Sequence, residues 1–139
     1  MTSDQWQFEK LLEKFHGNAP VSISDIRQFE MTLGRSLPTD YAAFLLHANG
    51  GEGWVGEECY VILWRLEEIL ETNKACELDE YLPGVLGFGS DGGGETFAFD
   101  MRTREMPVVA VPLIGMDPEN VLPIAPNFYS FLVEGAKWD

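Results

Sequence analysis

The chain has 139 residues, enough for one domain with a single hydrophobic core. Its 23 acidic residues outnumber its 9 basic residues, and the formal net charge of −14 would repel nucleic acid. An apolar content of 45% excludes general disorder, and no apolar run reaches the roughly 20 residues that cross a bilayer. Since the first residues also lack the basic and apolar segments of a secretory signal, we expect a cytoplasmic protein without a membrane partner.

The first helix is predicted to begin at Thr2 or Ser3 and to end at Gly17. Its buried side would be formed by four apolar residues at helical spacing, Phe8, Leu11, Leu12 and Phe15. His16 would then lie at the helix C terminus, where a cation interacts favourably with the helix dipole. His47 has the same position at the end of the third helix, so neither histidine is expected to be catalytic.

Two further helices are predicted before the sheet. The second begins after Ser22 or Ser24 and ends at Gly34, because serine accepts N-terminal amide hydrogen bonds and glycine permits a left-handed turn at a helix end. The third begins after Leu37-Pro38, since proline suits the first turn of a helix, and it ends before Asn49-Gly50.

The middle of the chain predicts strands interrupted by an acidic helical segment. Residues 54–55 and 60–64 are rich in β-branched and aromatic side chains, as strands are. A short helix is predicted over residues 66–72, with its glutamates in water. Residues 73–82 are expected to form an irregular acidic connection.

A glycine-rich hairpin is predicted over residues 86–100. Phe97 and Phe99 alternate with small or polar residues, as one side of a half-buried strand does. The turn contains Asp91, three consecutive glycines and Glu95, and glycine takes positive φ without steric penalty. The hairpin therefore places two carboxylates at a tight reversal of the chain.

The last third of the chain predicts two more strands and a helix. The strands cover residues 106–113 and 122–125, and the helix begins at Pro126 or Asn127 and ends at Gly135. Helices thus gather at the two ends of the chain and strands in its middle. We predict an α+β fold: a single domain, residues 1–139, with an antiparallel or mixed sheet packed by N-terminal helices and a C-terminal helix.

Short motifs along the chain, taken together in their order and spacing, resemble those of a known superfamily. They are Leu37-Pro38, Asp40-Tyr41, Phe44-Leu45, Asn49-Gly50-Gly51, residues 66–69, residues 88–92, Phe99-Asp100, residues 107–109, Ile124-Ala125, Phe128 and Phe131-Leu132. From about residue 26 to residue 132 the chain resembles the SUKH superfamily of bacterial toxin-immunity proteins, which is related to fungal regulators of cell-wall glucan synthesis. The resemblance implies an α+β domain that neutralises a cognate toxin, and many such toxins are nucleases.

The distribution of charge indicates where such a protein would bind. Between residues 51 and 100 there are twelve acidic and two basic residues. This concentration destabilises the fold by self-repulsion, a cost that is easier to understand if the field attracts a cationic partner. We therefore expect a basic toxin domain as partner. The expected partner-binding residues are Glu52, Trp54, Glu57, Glu58, Asp91 and Glu95, followed by Glu77, Asp79 and Glu80.

Other interpretations stay open at this point. The domain could be a regulator or scaffold of the fungal type, or a small hydrolase that uses Asp91, Glu95 and Asp100, although carboxylates at a hairpin tip are usually too exposed for the necessary pKa shift. Neither a cofactor nor a metal site is expected, because Cys59 and Cys76 are far apart and would stay thiols in a reducing cytosol.

Tryptophan is largely buried on average, so a core position is favoured for Trp54 taken alone. Its acidic, glycine-rich neighbours are nevertheless typical of an exposed interface anchor.

Overall fold

The computed structural model describes residues 7–56, 59–112, 114 and 116–135. Its helices are α1 Phe8–Leu11, α2 Ile23–Leu33, α3 Thr39–Leu45, α4 Leu66–Ala75, α5 Leu78–Tyr81 and α6 Phe128–Glu134. Its strands are β1 Phe15–Gly17, β2 Gly51–Val55, β3 Cys59–Leu63, β4 Val85–Ser90, β5 Glu95–Asp100, β6 Val108–Pro112 and β7 Leu122–Ala125. A 3₁₀ turn covers Pro118–Asn120. The predicted start of the first helix and the predicted binding residues Glu57 and Glu58 lie outside the described residues.

The seven strands form one sheet in the order β1 to β7, so each strand pairs with its neighbour in sequence. All six pairings are antiparallel. The predicted α+β fold is confirmed, and of the two kinds of sheet allowed by the sequence the antiparallel one is formed.

The main core lies on one side of the sheet and is rich in aromatic rings. Phe88 and Phe99 stack with their ring centroids 4.4 Å apart, and Tyr41 of α3 lies 5.0 Å from Phe99 and 5.0 Å from Phe128 of α6. The carboxylate of Asp40 accepts hydrogen bonds from the amides of Tyr41 and Tyr129, both at 2.8 Å. This buried carboxylate joins α3 to α6 on the same side of the sheet.

A second, smaller cluster lies on the opposite side of the sheet. Leu78 and Leu82, from α5 and the residue after it, are buried there against the side chains of Val85, Ala98, Val109 and Val111. This cluster covers β4 to β6. On β2, by contrast, Glu52 and Trp54 are exposed on that side.

The predicted helix over residues 2–16 is wrong at its end, because Phe15–Gly17 forms the edge strand β1. Phe15 pairs with Gly53, and His16 pairs with Glu52. A Cβ on Gly51 or Gly53 would collide with the backbone of β1, and both glycines have positive φ, 139° and 154°. These glycines allow the close pairing, which overrides the helical spacing of the apolar residues. His16 therefore lies on a strand and does not cap a helix.

The predicted irregular connection over residues 73–82 is also wrong. The helix predicted over residues 66–72 is confirmed, but it continues to Ala75, and α5 follows. The side chain of Asn73, which is 1% exposed, donates a hydrogen bond to the carbonyl oxygen of Gly87 at 2.9 Å and accepts one from its amide at 2.7 Å. Because β3 has ended, this amide side chain satisfies the edge of β4 where a strand would otherwise pair.

The predicted helix ends agree with the structure where local hydrogen bonds determine them. The Ser22 hydroxyl accepts a hydrogen bond from the Asp25 amide at 3.1 Å, the Asp25 carboxylate accepts one from the Ser22 amide at 3.0 Å, and α2 ends at Gly34 with φ 87°. Asn127 caps α6 by accepting a hydrogen bond from the Ser130 amide at 2.8 Å.

Candidate protein-interaction surface

Side chains of β2 and β3 point alternately to the two sides of the sheet, as strand geometry requires. Val55, Val61 and Leu63 belong to the main core. The intervening residues point to the opposite side, and the pairing with β1 adds a histidine to them. We call this surface the outer face of β1–β3; it is formed by His16, Glu52, Trp54, Tyr60 and Ile62.

Trp54 is the most prominent side chain of the outer face of β1–β3. It is 46% exposed, so the core position favoured from its residue type alone is wrong. It pairs directly with Tyr60 across the two strands, and the rings meet edge to face at a centroid distance of 5.2 Å and an angle of 78°. An aromatic side chain that is held in place and still exposed can bury apolar area at an interface with little loss of conformational entropy.

The carboxylate of Glu52 is held beside this aromatic pair. The Tyr60 hydroxyl donates a hydrogen bond to Glu52 Oε2 from the diagonal position on the neighbouring strand. This bond raises the pKa of Tyr60 above its ordinary value, and partial burial and the negative charge of Glu52 act in the same direction. Tyr60 was not among the residues expected at the site, although the alternation of β3 could have placed it on the same side as Ile62.

The glycine turn between β4 and β5 is organised by Asp91. Its Oδ1 accepts hydrogen bonds from the amides of Gly93 at 2.7 Å and Glu95 at 3.3 Å. Of the three glycines, Gly92 has a positive φ, 85°, and the space around a Cβ on Gly94 is open. Burial raises the pKa of Glu95, and the negative charge of Asp91 raises it further. The turn therefore depends on Asp91 as an internal acceptor as well as on glycine.

The sheet brings the glycine turn close to the outer face of β1–β3. Glu52 pairs with Ile62, and Ile62 pairs with Ser90, the last residue before the turn. Two strand spacings separate Glu52 from Ser90, roughly 10 Å. A Cβ on Gly92 would lie 3.5 Å from the Ile62 side chain, so the turn packs against this face. Glu52, Trp54 and Asp91 thus belong to one region.

Glu77, Asp79 and Glu80 form a separate group on α5. Asp79 and Glu80 are exposed on α5. Leu78, which follows Glu77 and precedes Asp79, is buried and lies near Gly87. Gly87 is three residues along β4 from Ser90, roughly 10 Å. The seven predicted binding residues that the structure describes therefore fall into two groups on the same side of the sheet, and the α5 group lies over the other end of β4 from the glycine turn.

One acidic residue that the sequence did not single out joins the outer face of β1–β3. A groove of about 380 Å³ lies between this face and the start of α4, and its lining includes His16, Glu52, Arg65 and Glu68. Glu68 accepts a hydrogen bond from the Arg65 amide at 3.2 Å, which directs its carboxylate toward the start of the helix. Residues that are distant in sequence, from β1, β2 and the start of α4, line this groove together, so no local pattern could indicate it.

Carboxylates of this region lack ion pairs with the cations that the structure describes. Among the described residues, no lysine or arginine forms an ion pair with Glu52, Asp91 or Glu95. Arg102 pairs with Asp100 at 2.9 Å, at the opposite end of β5 from the glycine turn. The negative field near Glu52 and Asp91 therefore remains available to solvent or to a partner.

The geometry separates Asp100 from Asp91 and Glu95, the other two carboxylates of the alternative hydrolase. Asp100 is five residues along β5 from Glu95, which corresponds to roughly 17 Å, beyond the spacing of about 5 to 10 Å across a glycosidic bond. The Arg102 side chain holds the pKa of Asp100 below its ordinary value. In the described part of the chain, no group of three or more histidine, cysteine, aspartate or glutamate side chains is arranged to hold a metal ion.

The structure is an α+β domain whose antiparallel sheet is packed by helices, and its open side carries an exposed tryptophan, a half-buried tyrosine and carboxylates that pair with no described lysine or arginine. The model of the SMI1 / KNR4 family (SUKH-1) matches residues 20–134, and the chain therefore belongs to this family. The match begins before α2 and ends with α6, which confirms the family resemblance inferred from the motifs.

The chain is also similar to a protein of Bacillus subtilis (strain 168), named "Uncharacterized protein YnaB". The two are 37% identical over 79 residues, which cover 56% of this chain and 51% of that protein. The matched part thus spans about half of the length of the relative. None of the described helices is long and apolar enough to cross a membrane.

Proposed function

We propose that this domain is an immunity protein that binds and neutralises a basic toxin domain, acts in the cytosol and catalyses no reaction itself. The observation that carries the proposal is the outer face of β1–β3, where an exposed tryptophan is held against Tyr60 beside carboxylates that no described cation pairs with. Membership of the SUKH-1 family supports a binding function of this kind.

The composition of the outer face of β1–β3 suits a basic protein partner. Binding energy at protein interfaces is concentrated in a few aromatic and arginine side chains near the centre, with polar residues at the rim. Trp54 and Tyr60 would supply the centre, and Glu52, Asp91 and Glu68 would supply a negative rim. A nuclease must be basic where it holds a phosphodiester backbone, so a negative surface can occupy that field and exclude the substrate.

The test uses the protein domain encoded beside the gene of this chain as the partner, with association and dissociation measured by biolayer interferometry. Trp54→Ala is expected to weaken binding by about tenfold or more, mainly through faster dissociation. Raising salt from about 0.05 to 0.5 M should slow association by about tenfold, because screening shortens the reach of the field.

Tyr81→Ala is the matched control variant. Tyr81 is 51% exposed, similar to Trp54, but it lies on α5 with the other acidic group. Unchanged binding by Tyr81→Ala beside weakened binding by Trp54→Ala supports an interface on the outer face of β1–β3. The reverse result would move the interface to α5, and binding that neither salt nor Trp54→Ala alters would exclude an acidic surface centred on Trp54.

A further inference from the structure

A groove of about 500 Å³ lies between α2 and α4, outside the surface described above. Its apolar lining includes Phe29 and Leu66, which are 9% and 5% exposed, and the half-buried Val21 and Leu70. All four belong to the main core or pack against it. The floor of the groove is therefore a margin of the main core.

Two carboxylates from different helices line this apolar floor. Asp25 of α2 is held by its capping bond, in which Oδ2 accepts the Ser22 amide at 3.0 Å. Glu67 of α4 is held by the side chain of Asn49, which donates to Oε1 at 2.8 Å.

The two carboxylates also interact with each other. The hydrogen bond from Asn49 lowers the pKa of Glu67 below its ordinary value, and the positive charge of Arg65 helps, whereas the negative charge of Asp25 opposes this. No described lysine or arginine forms an ion pair with either carboxylate. Two like charges thus face one groove, and a cation between them would be attracted by both.

We propose that the groove between α2 and α4 binds one lysine or arginine side chain of a partner protein. The aliphatic stem lies on Phe29, Leu66 and Leu70, and the charged head lies between Asp25 and Glu67. Long basic side chains commonly bury their methylene groups while the charge stays at the rim. An anion would be repelled by the rim, and an uncharged apolar group would leave the two carboxylates uncompensated.

The groove adjoins the outer face of β1–β3, so one partner can contact both. Asn18 and Asn49 form a hydrogen-bonded ridge between them. The Asn18 side chain donates a hydrogen bond to the Asn49 carbonyl oxygen at 3.1 Å, and the Asn49 side chain accepts one from the Leu66 amide at 2.8 Å. Arg65 reaches Asn18 from the other side, at 3.5 Å. The inference rests on the proposed function for the identity of the protein that supplies the basic side chain, but the groove can be tested without it.

The first experiment follows backbone amide shifts of the ¹⁵N-labelled chain during titration with butylguanidinium, which has both a stem and a charge. Saturable shifts are expected at amides of α2 and at the start of α4, around Asp25, Phe29 and Glu67. Guanidinium, which lacks the stem, and butylurea, which lacks the charge, should each bind at least about threefold more weakly. Shifts spread evenly over all acidic segments, or equal affinity for guanidinium, would overturn the proposal.

Glu67→Gln and Glu71→Gln form a matched pair of variants. Both lie on α4 one turn apart, but only Glu67 lines the groove, and a glutamine there can still accept the hydrogen bond of Asn49. Glu67→Gln is expected to raise the Kd for butylguanidinium by about threefold or more, and Glu71→Gln to leave it unchanged. Equal effects of the two variants would show attraction by overall charge and contradict a site.

The two proposals can fail separately. If butylguanidinium binds in the groove but the neighbouring-gene domain does not bind the chain, the groove stands and the immunity function falls. If that domain binds and Trp54→Ala weakens binding while butylguanidinium shifts no amide of α2 or α4, the immunity function stands and the groove falls.

Discussion

Replacing Asn73 by leucine tests how the fold closes the edge of β4 after β3 has ended. The Asn73 side chain makes three hydrogen bonds at 2.7 to 2.9 Å: it donates to the carbonyl oxygens of Ile69 and Gly87 and accepts from the amide of Gly87. Leucine has nearly the same size but cannot form these bonds. The amide and carbonyl groups of Gly87 would then be buried without partners.

The magnitude follows from those two groups. An unsatisfied buried backbone group costs about 1 to 3 kcal/mol, so Asn73→Leu is expected to lower the free energy of unfolding by about 2 to 6 kcal/mol. For a domain of this size, the thermal midpoint should fall by roughly 10 °C or more. The Ile69 carbonyl adds little to the loss, because it can keep its bond within α4.

Urea unfolding followed by circular dichroism measures this difference. The control variant is Lys74→Leu, which introduces the same side chain at the next, exposed position of α4 and should change stability by less than about 0.5 kcal/mol. A loss below about 1 kcal/mol for Asn73→Leu would refute the reasoning, because Gly87 would then be satisfied without the asparagine.

Two further predictions concern β1–β3 and need no partner. Gly53→Ala should destabilise the protein by about 2 kcal/mol or more in the same urea assay, because φ is 154° and the new Cβ would lie 2.5 Å from Phe15 Cα. The control variant Gly94→Ala should be nearly neutral. Similar losses of stability in both variants would contradict the close pairing of β1 with β2. Glu52→Ala should lower the pKa of Tyr60 toward its ordinary value of 10.0, because the hydrogen bond and the negative charge are both removed. In wild type, the stability from this bond is present below pH 10.0 and is lost as pH rises through the raised pKa. Ultraviolet titration of tyrosinate measures the pKa, and the difference from Tyr60→Phe isolates the signal of Tyr60. An unchanged pKa in Glu52→Ala would show that the hydrogen bond to Glu52 does not raise the pKa of Tyr60.

Several elements were predictable because neighbouring residues alone determine them. The ends of α2 depend on the bonds between Ser22 and Asp25 and on the positive φ of Gly34. The start of α6 depends on the side chain of Asn127, which accepts a hydrogen bond from the Ser130 amide three residues later. Local chemistry of this kind has the same outcome in many folds, so the sequence indicates it directly.

The candidate site was predictable in part. Alternation along β2 puts Glu52 and Trp54 on the same side of the sheet, but alternation cannot tell which side a helix covers. The exposure of Trp54 therefore contradicted the residue-type preference for burial. The proximity of Asp91 to Glu52 depends on strand pairings through β3. The position of Asp79 and Glu80, away from the glycine turn, depends on where α5 packs.

By itself, the sequence determined the α+β class, the family, the excess of negative charge and the glycine hairpin, because composition, order of elements and short-range hydrogen bonding carry these properties. Two other features, the strand at residues 15–17 and the position of α4 beside β4, became known from the folded chain. Each depends on contacts between distant residues: Phe15 with Gly53, and Asn73 with Gly87. When backbone groups form hydrogen bonds with residues distant in sequence, the local spacing of apolar residues no longer decides the conformation. Surfaces that result from such contacts therefore also depend on distant residues.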